Sequence, residues 1–154
     1  MKKKSLYQFV ISGNPSGNTD NSTYSSFINE INKYKLNNHF NILGFLPHQD
    51  VINLIYYSKV LINPSLFEGW STTVEEGKIF KKQMLLSNLK VHKEQSSKNV
   101  IFFNPHNHVE LSRKIALLMN KKLIITNKQK LKRIYINKRK KMAKNYFEII
   151  KKTI

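Results

Sequence analysis

Five short apolar runs restrict this chain more than any other feature. They span residues 6–11, 40–43, 60–62, 84–87 and 100–103. The first stops at Ser12-Gly13-Asn14-Pro15, the second at Gly44, the third at Asn63-Pro64 and the last at Asn104-Pro105. Apolar, partly β-branched runs of this length between turn residues read as strands. Between them the spacing changes. Phe27, Ile28, Ile31, Tyr34 and Lys35 fall at helical intervals and predict a helix over 23–35. Asp50 is placed to cap a helix through Tyr57, and a further helix is expected from near Thr72. Val109, Leu111, Ile115, Leu118 and Met119 form one amphipathic face. Residues 127–152 also read as helical, with Met142, Tyr146, Phe147 and Ile150 on one face and the aromatics among them as core contacts. Strands alternating with helices argue for βαβ units, and runs without strict alternation fit strands buried on both faces. The fold class is therefore α/β: a parallel sheet of about five strands with flanking helices and a basic C-terminal helix.

Charge divides the chain where the strand pattern ends. Lys and Arg number 27 against 9 acids, a formal net charge of +18. The excess sits late: after residue 120 there are 13 Lys or Arg and a single acid, Glu148. Residues 1–120 read as one α/β domain and 121–154 as a basic helical extension. Lys, Asn and Ile, all with A/T-rich codons, make up 59 of 154 residues, so base composition contributes to this charge. The tail has three readings: first a solvated helix face, then a membrane-surface patch, then nucleic-acid binding. The absence of cysteine excludes disulfides, thiolate metal sites and a thiol nucleophile. No apolar run nears the roughly 18 residues of a membrane span. The basic start is not followed by an apolar stretch of signal-peptide length, so no export is expected.

In a parallel sheet, ligands bind beyond the carboxyl ends of the strands. That rule selects the loops at 13–18, 44–48 and 63–72. The third is the most informative: Asn63-Pro64-Ser65-Leu66-Phe67-Glu68-Gly69-Trp70-Ser71-Thr72-Thr73-Val74-Glu75-Glu76. It leaves a strand and enters a helix, whose first amides form a phosphate site. Ser71, Thr72 and Thr73 add hydroxyl donors, and Gly69 permits close backbone approach. Glu68 and Glu76 flank those donors, and carboxylates accept well from sugar hydroxyls. A nucleotide-sugar would suit that arrangement. Capping boxes at Thr72-x-x-Glu75 and Thr73-x-x-Glu76 explain the later acids equally well, and Glu68 also reads as a solvated loop acid.

Residues 41–105 resemble the donor-binding half of the retaining GT-B glycosyltransferases of group 1 (family 4). The resemblance is carried by Ile42-Leu43-Gly44-Phe45-Leu46-Pro47-His48, by residues 62–76 with the E-x7-E element from Glu68 to Glu76, by residues 86–95, and by Ile101-Phe102-Phe103-Asn104-Pro105. It implies a Rossmann-like donor domain that moves a sugar from a nucleotide-sugar to a glycan or lipid-linked acceptor with retention. It implies Glu68 at the transferred sugar as the catalytic carboxylate and Glu76 on the donor ribose. Trp70, Ser71, Thr72 and Thr73 would hold the diphosphate and sugar, Gly13 would line the donor cleft, and Phe45 and Leu46 would meet the nucleobase. No cofactor or metal is implied beyond the nucleotide-sugar substrate.

Set against that family, the chain opens at what would be the second strand of the donor domain, and the acceptor domain is missing. Weak or no activity from this polypeptide alone is the expectation. A separate chain would carry the acceptor domain, with a cytoplasmic location that admits peripheral contact at the inner membrane face. Relatives often place Gly then Pro after the Glu76 helix, where Lys81 and Gln83 stand here. A left-handed helix end without Gly costs about 1 kcal/mol. Two alternatives stand beside this reading: an inactive nucleotide-sugar-binding fragment, and a basic nucleic-acid-binding protein, which no recognition motif supports. His48 and His92 read as surface-loop histidines and Trp70 as a packed aromatic lining its loop. His106 and His108 lack a supporting acid for a metal.

Overall fold

The computed structural model describes residues 7–14 and 22–120, with single helical positions at 133, 136, 137, 140, 141, 143–145, 147, 148 and 151. The chain divides after Asn53 into two compact units.

The first unit contains β1 (Phe9–Ile11), α1 (Ser22–Lys33), a 3-10 turn (Asn37–His39) and β2 (Phe40–Ile42). The two strands pair in parallel, Phe9 opposite Phe40 and Ile11 opposite Ile42. Phe9 stacks on Phe40 with ring centroids 4.9 Å apart, and Phe27 of α1 meets Phe40 edge-on at 5.8 Å. Three aromatic rings thus tie the helix to the strand pair, and Ile31 is buried on the same helix. α1 ends at Lys33, before the expected residue 35. Lys35 turns left-handed (φ 54°), and the Leu36 amide donates back to the Ile31 carbonyl at 2.9 Å, a 6→1 closure of the helix end. Tyr34 is consequently exposed, not on the apolar face.

The boundary between the units falls within α2 (His48–Tyr57). This helix begins before Asp50, which lies in its first turn and is not the cap. The amides of Asp50 and Val51 both donate to the Pro47 carbonyl. Pro47 therefore supplies the first acceptor, and the start moves two residues upstream of the expected cap.

The second unit holds β3 (Leu61–Asn63), α3 (Thr72–Ile79), β4 (Met84–Ser87), α4 (Lys90–Glu94), β5 (Val100–Phe103) and α5 (His108–Met119). Its sheet is parallel in the order β3-β4-β5, with Leu61 opposite Met84 and Ser87 opposite Phe103. Every residue of β4 is buried. Met84 and Leu86 pack with Val74, Leu61, Val100 and Phe102, whereas Leu85 packs with Phe103, Leu118, Ile62, Ile101 and Ile115. Alternate side chains of the central strand thus enter opposite layers, one facing α3 and the other α5. That is why its sequence is apolar without alternation; each such side chain contributes about 1.5–3 kcal/mol by leaving water. The chain is α/β and Rossmann-like, but among the described residues the strands form a parallel pair and a parallel triple, not the single sheet of about five expected.

Gly77 sets the distance between α3 and the sheet. A β-carbon there would lie 2.6 Å from Met84 Sδ and 2.8 Å from Leu61 Cδ2. The end of α3 matches the expected strain: Lys81 is left-handed (φ 53°), and the Lys82 amide donates to the Gly77 carbonyl at 2.9 Å. Lysines close several main-chain ends. Lys82 Nζ donates to the carbonyls of Tyr56 and Ser58, Lys59 Nζ to Met119 and Lys114 Nζ to Phe102. Burial holds the Lys82 pKa below its ordinary value. Part of the cationic excess is therefore structural.

The described positions between 133 and 151 are helical and exposed. Phe147 is 62% exposed, with Lys151 Nζ 5.3 Å from its ring centroid, and is not the core contact expected of it. The other expected contact, Tyr146, and Met142 and Ile150 of the same expected face lie outside the described residues. Among the described residues no helix is long and apolar enough to cross a membrane.

Candidate functional site

The loop that leaves β3 is organised by Asn63, the last residue of that strand. Its amide nitrogen donates to Glu68 Oε1 at 3.0 Å and to Ser71 Oγ at 3.2 Å. Its Oδ1 accepts from the Ser65 amide at 3.1 Å. The Ser65 hydroxyl lies 2.7 Å from Asn63 Oδ1 and 2.9 Å from Glu68 Oε1, so one proton serves one of two acceptors. Asn63 reaches both the acid and the residue that opens α3. Glu68 is half-buried, and among the described residues the hydrogen bonds to it fall on Oε1 and come from neutral groups.

α3 begins at Thr72 as expected, with Ser71 at the N-cap in extended conformation. Ser71 makes no side-chain capping bond; its hydroxyl accepts from Asn63. The first amides of a helix have no intrahelical partner, and here the cap residue's hydroxyl does not close them. Neither expected capping box forms, since Thr72 and Thr73 lie inside the helix. Glu75 is instead held sideways: it accepts from Gln95 Nε2 at 3.1 Å and from Lys78 Nζ at 2.8 Å. Glu76 is half-buried. It projects from the next helical position, about 100° around the axis from Glu75.

Trp70 is 59% exposed, not packed, and Leu66 and Phe67 beside it are also exposed. A β-carbon on Gly69 would meet nothing within 4 Å. The loop therefore shows an apolar rim and an open backbone stretch immediately before the helix start.

Two residues that carried no assigned role as site components, one on α4 and one at its C-cap, prove to be buried polar ties. His92 is fully buried and is not a surface-loop histidine. Its Nδ1 lies 2.9 Å from the Ser87 carbonyl and 3.1 Å from Ser87 Oγ. A carbonyl only accepts, so Nδ1 carries a proton, and Nε2 is buried without a hydrogen-bond partner among the described residues. Gln95, 1% exposed, accepts from the Ser71 amide at 3.2 Å and donates to the Ser71 carbonyl at 3.0 Å. The available signal was spacing: positions 92 and 95 share one helix face, but their partners lie elsewhere in the chain.

The remaining predicted residues belong to the first unit and continue its strands. The Leu43 amide donates to the Ile11 carbonyl, and the Gly13 amide to the Gly44 carbonyl, both at 2.9 Å. Gly13 (φ 150°) and Gly44 (φ 65°) occupy backbone regions that disfavour side chains. This glycine pair joins the ends of the two strand-following loops. Phe45, next in sequence, is 83% exposed, and Leu46 is half-buried. His48 is exposed at the first turn of α2.

In the second unit, Glu68 and Ser71 are brought together through Asn63, and Thr72, Thr73 and Glu76 follow on the same helix. Among the described residues no group of three His, Asp or Glu side chains is positioned to hold a metal ion. A family model described as "Glycosyl transferases group 1" matches residues 1–145. No curated protein and no solved structure matches the chain.

Proposed function

We propose that this chain, which belongs to the group 1 glycosyltransferases, binds the donor nucleotide-sugar on the 63–76 segment and takes part in sugar transfer with retention to a glycan or lipid-linked acceptor. One observation carries the reading. Ser71 Oγ accepts from Asn63 and makes no capping bond at the α3 N-terminus, and the Glu68 carboxylate is held by the same amide.

The chemistry follows from that arrangement. The helix-start amides and the hydroxyls of Thr72 and Thr73 would stabilise a departing diphosphate, as an anion is stabilised at a helix N-terminus. Such fixed donors need no reorganisation as charge develops. Glu68, oriented by Asn63 and Ser65, would present its second oxygen to the transferred sugar. It would stabilise positive charge developing at the anomeric carbon. Glu76 would accept from the ribose hydroxyls. Gly13, Phe45, Leu46 and Trp70 would serve the donor as the resemblance implies. A diphosphate neutralised by the helix start and a basic side chain needs no metal.

The test is calorimetric titration of the chain with UDP-, GDP-, ADP- and TDP-sugars, beside a DNA duplex over a range of salt. The proposal predicts saturable one-site binding to at least one nucleotide-sugar. DNA binding alone, steeply weakened by salt, would replace it with the nucleic-acid reading.

A further inference from the structure

We infer that Gln95 is a positioning residue for the donor diphosphate, an inference that rests on the proposed donor site. Its amide grips both polar groups of one residue's main chain: Oε1 accepts from Ser71 N–H, and Nε2 donates to the Ser71 carbonyl. Ser71 is the N-cap of α3, so this grip sets where the helix begins. The third bond, from Nε2 to Glu75 Oε1, fixes the amide's orientation. Flipped, the amide would set a donor against Ser71 N–H and an oxygen against two acceptors. Glu75 is itself held by Lys78. The two bonds to Ser71 are buried, which makes each costly to lose.

Gln95 does not touch the proposed ligand. It follows a short helix whose other buried polar residue, His92, is bonded to Ser87 at the end of β4. α4 therefore ties the carboxyl end of the central strand to the first turn of α3. A shift of Ser71 would move the Thr72 and Thr73 amides together. It would leave Glu76, a full turn further along, less affected. Gln95 thus acts on the phosphate part of the donor more than on the ribose.

The experiment compares wild type, Gln95→Met and Gln95→Glu. Gln95→Met keeps the volume and removes both polar atoms. Gln95→Glu keeps the acceptor but sets an oxygen against the Ser71 carbonyl and Glu75. Calorimetry measures affinity for UDP, GDP, ADP and TDP and for the matching monophosphates. Amide hydrogen exchange over residues 71–75 reports the helix start on whichever variant folds. The expected result is a loss of about tenfold in affinity for the diphosphate, the scale of one charge-assisted hydrogen bond. Monophosphate affinity should change less than about twofold, with exchange accelerated at Thr72 and Thr73. Unchanged diphosphate affinity, or an equal fall for both ligands, would overturn the positioning role. If wild type binds no nucleotide, the donor reading itself fails and the inference with it, an outcome distinct from a variant-specific null.

Discussion

Asn63 Nδ2 lies 3.0 Å from Glu68 Oε1, so an amide at the end of β3 fixes an acid in the loop that follows. The same nitrogen reaches Ser71 Oγ at 3.2 Å. One side chain therefore joins the strand end, the proposed sugar-facing acid and the helix start.

Replacing Asn63 by Leu should release both. The substitution removes two donated bonds and one acceptor from a part-buried site, a loss of about 2–3 kcal/mol, readable by urea unfolding. Nucleotide-sugar affinity should fall more than affinity for the corresponding nucleoside diphosphate, because Glu68 is assigned to the sugar. Equal losses for the two ligands would remove that assignment.

Lys81 occupies a left-handed conformation at the end of α3, φ 53°. Glycine adopts this region without the β-carbon penalty. Lys81→Gly should therefore stabilise the fold by up to about 1 kcal/mol, with part of the gain offset by the freer unfolded chain. Thermal unfolding measures it, and a lowered melting temperature would show that the Lys81 side chain contributes more than the strain costs.

Gly77 permits α3 to lie against Leu61 and Met84, both closer than 3 Å to a built β-carbon. Gly77→Val should cost about 2–3 kcal/mol by overpacking and by poor helix propensity. Equilibrium denaturation gives the value, and an unchanged midpoint would mean the helix moves away freely.

Two groups make stability depend on pH in different ranges. The hydrogen bond from Lys114, then that from the Asn104 amide, hold the Glu110 pKa below its ordinary 4.5. A depressed carboxyl pKa contributes stability that is present above pH 4.5 and is lost as pH falls through the folded value. The stability difference between wild type and Glu110→Gln should therefore shrink between pH ~5 and ~3. Lys82 behaves otherwise. Burial lowers its pKa below 10.5, so the folded chain releases this proton before the unfolded chain does. Its contribution rises with pH from the folded value up to 10.5, and Lys82→Met should abolish that alkaline rise. Chemical denaturation across pH checks both.

The strands were legible because β4 is buried on both faces, and only a run such as Met84-Leu85-Leu86 satisfies two apolar layers. The start of α3 at Thr72 was legible from its hydroxyl-rich approach. The misreadings share a cause: they assigned a side chain from its immediate neighbours. Asp50 looked like a cap, but the Pro47 carbonyl accepts first. Thr72 and Thr73 looked like capping residues, but the cap lies one step earlier, at Ser71. Trp70 and Phe147 looked packed by residue type, yet nothing covers most of either ring. His92 and Gln95 were invisible as ties because Gln95 meets a residue twenty-four positions away. Gly77 gave no cue, since its partners sit on two strands.

The most direct test of the donor site is calorimetric titration of Glu76→Ala against wild type, using the nucleotide-sugar that wild type binds and heparin as a polyanion control. Loss of acceptor bonds to the ribose predicts an affinity lower by about tenfold or more, with heparin binding nearly unchanged. Nucleotide-sugar affinity equal to wild type would contradict the assignment of the 63–76 segment as the seat of the donor.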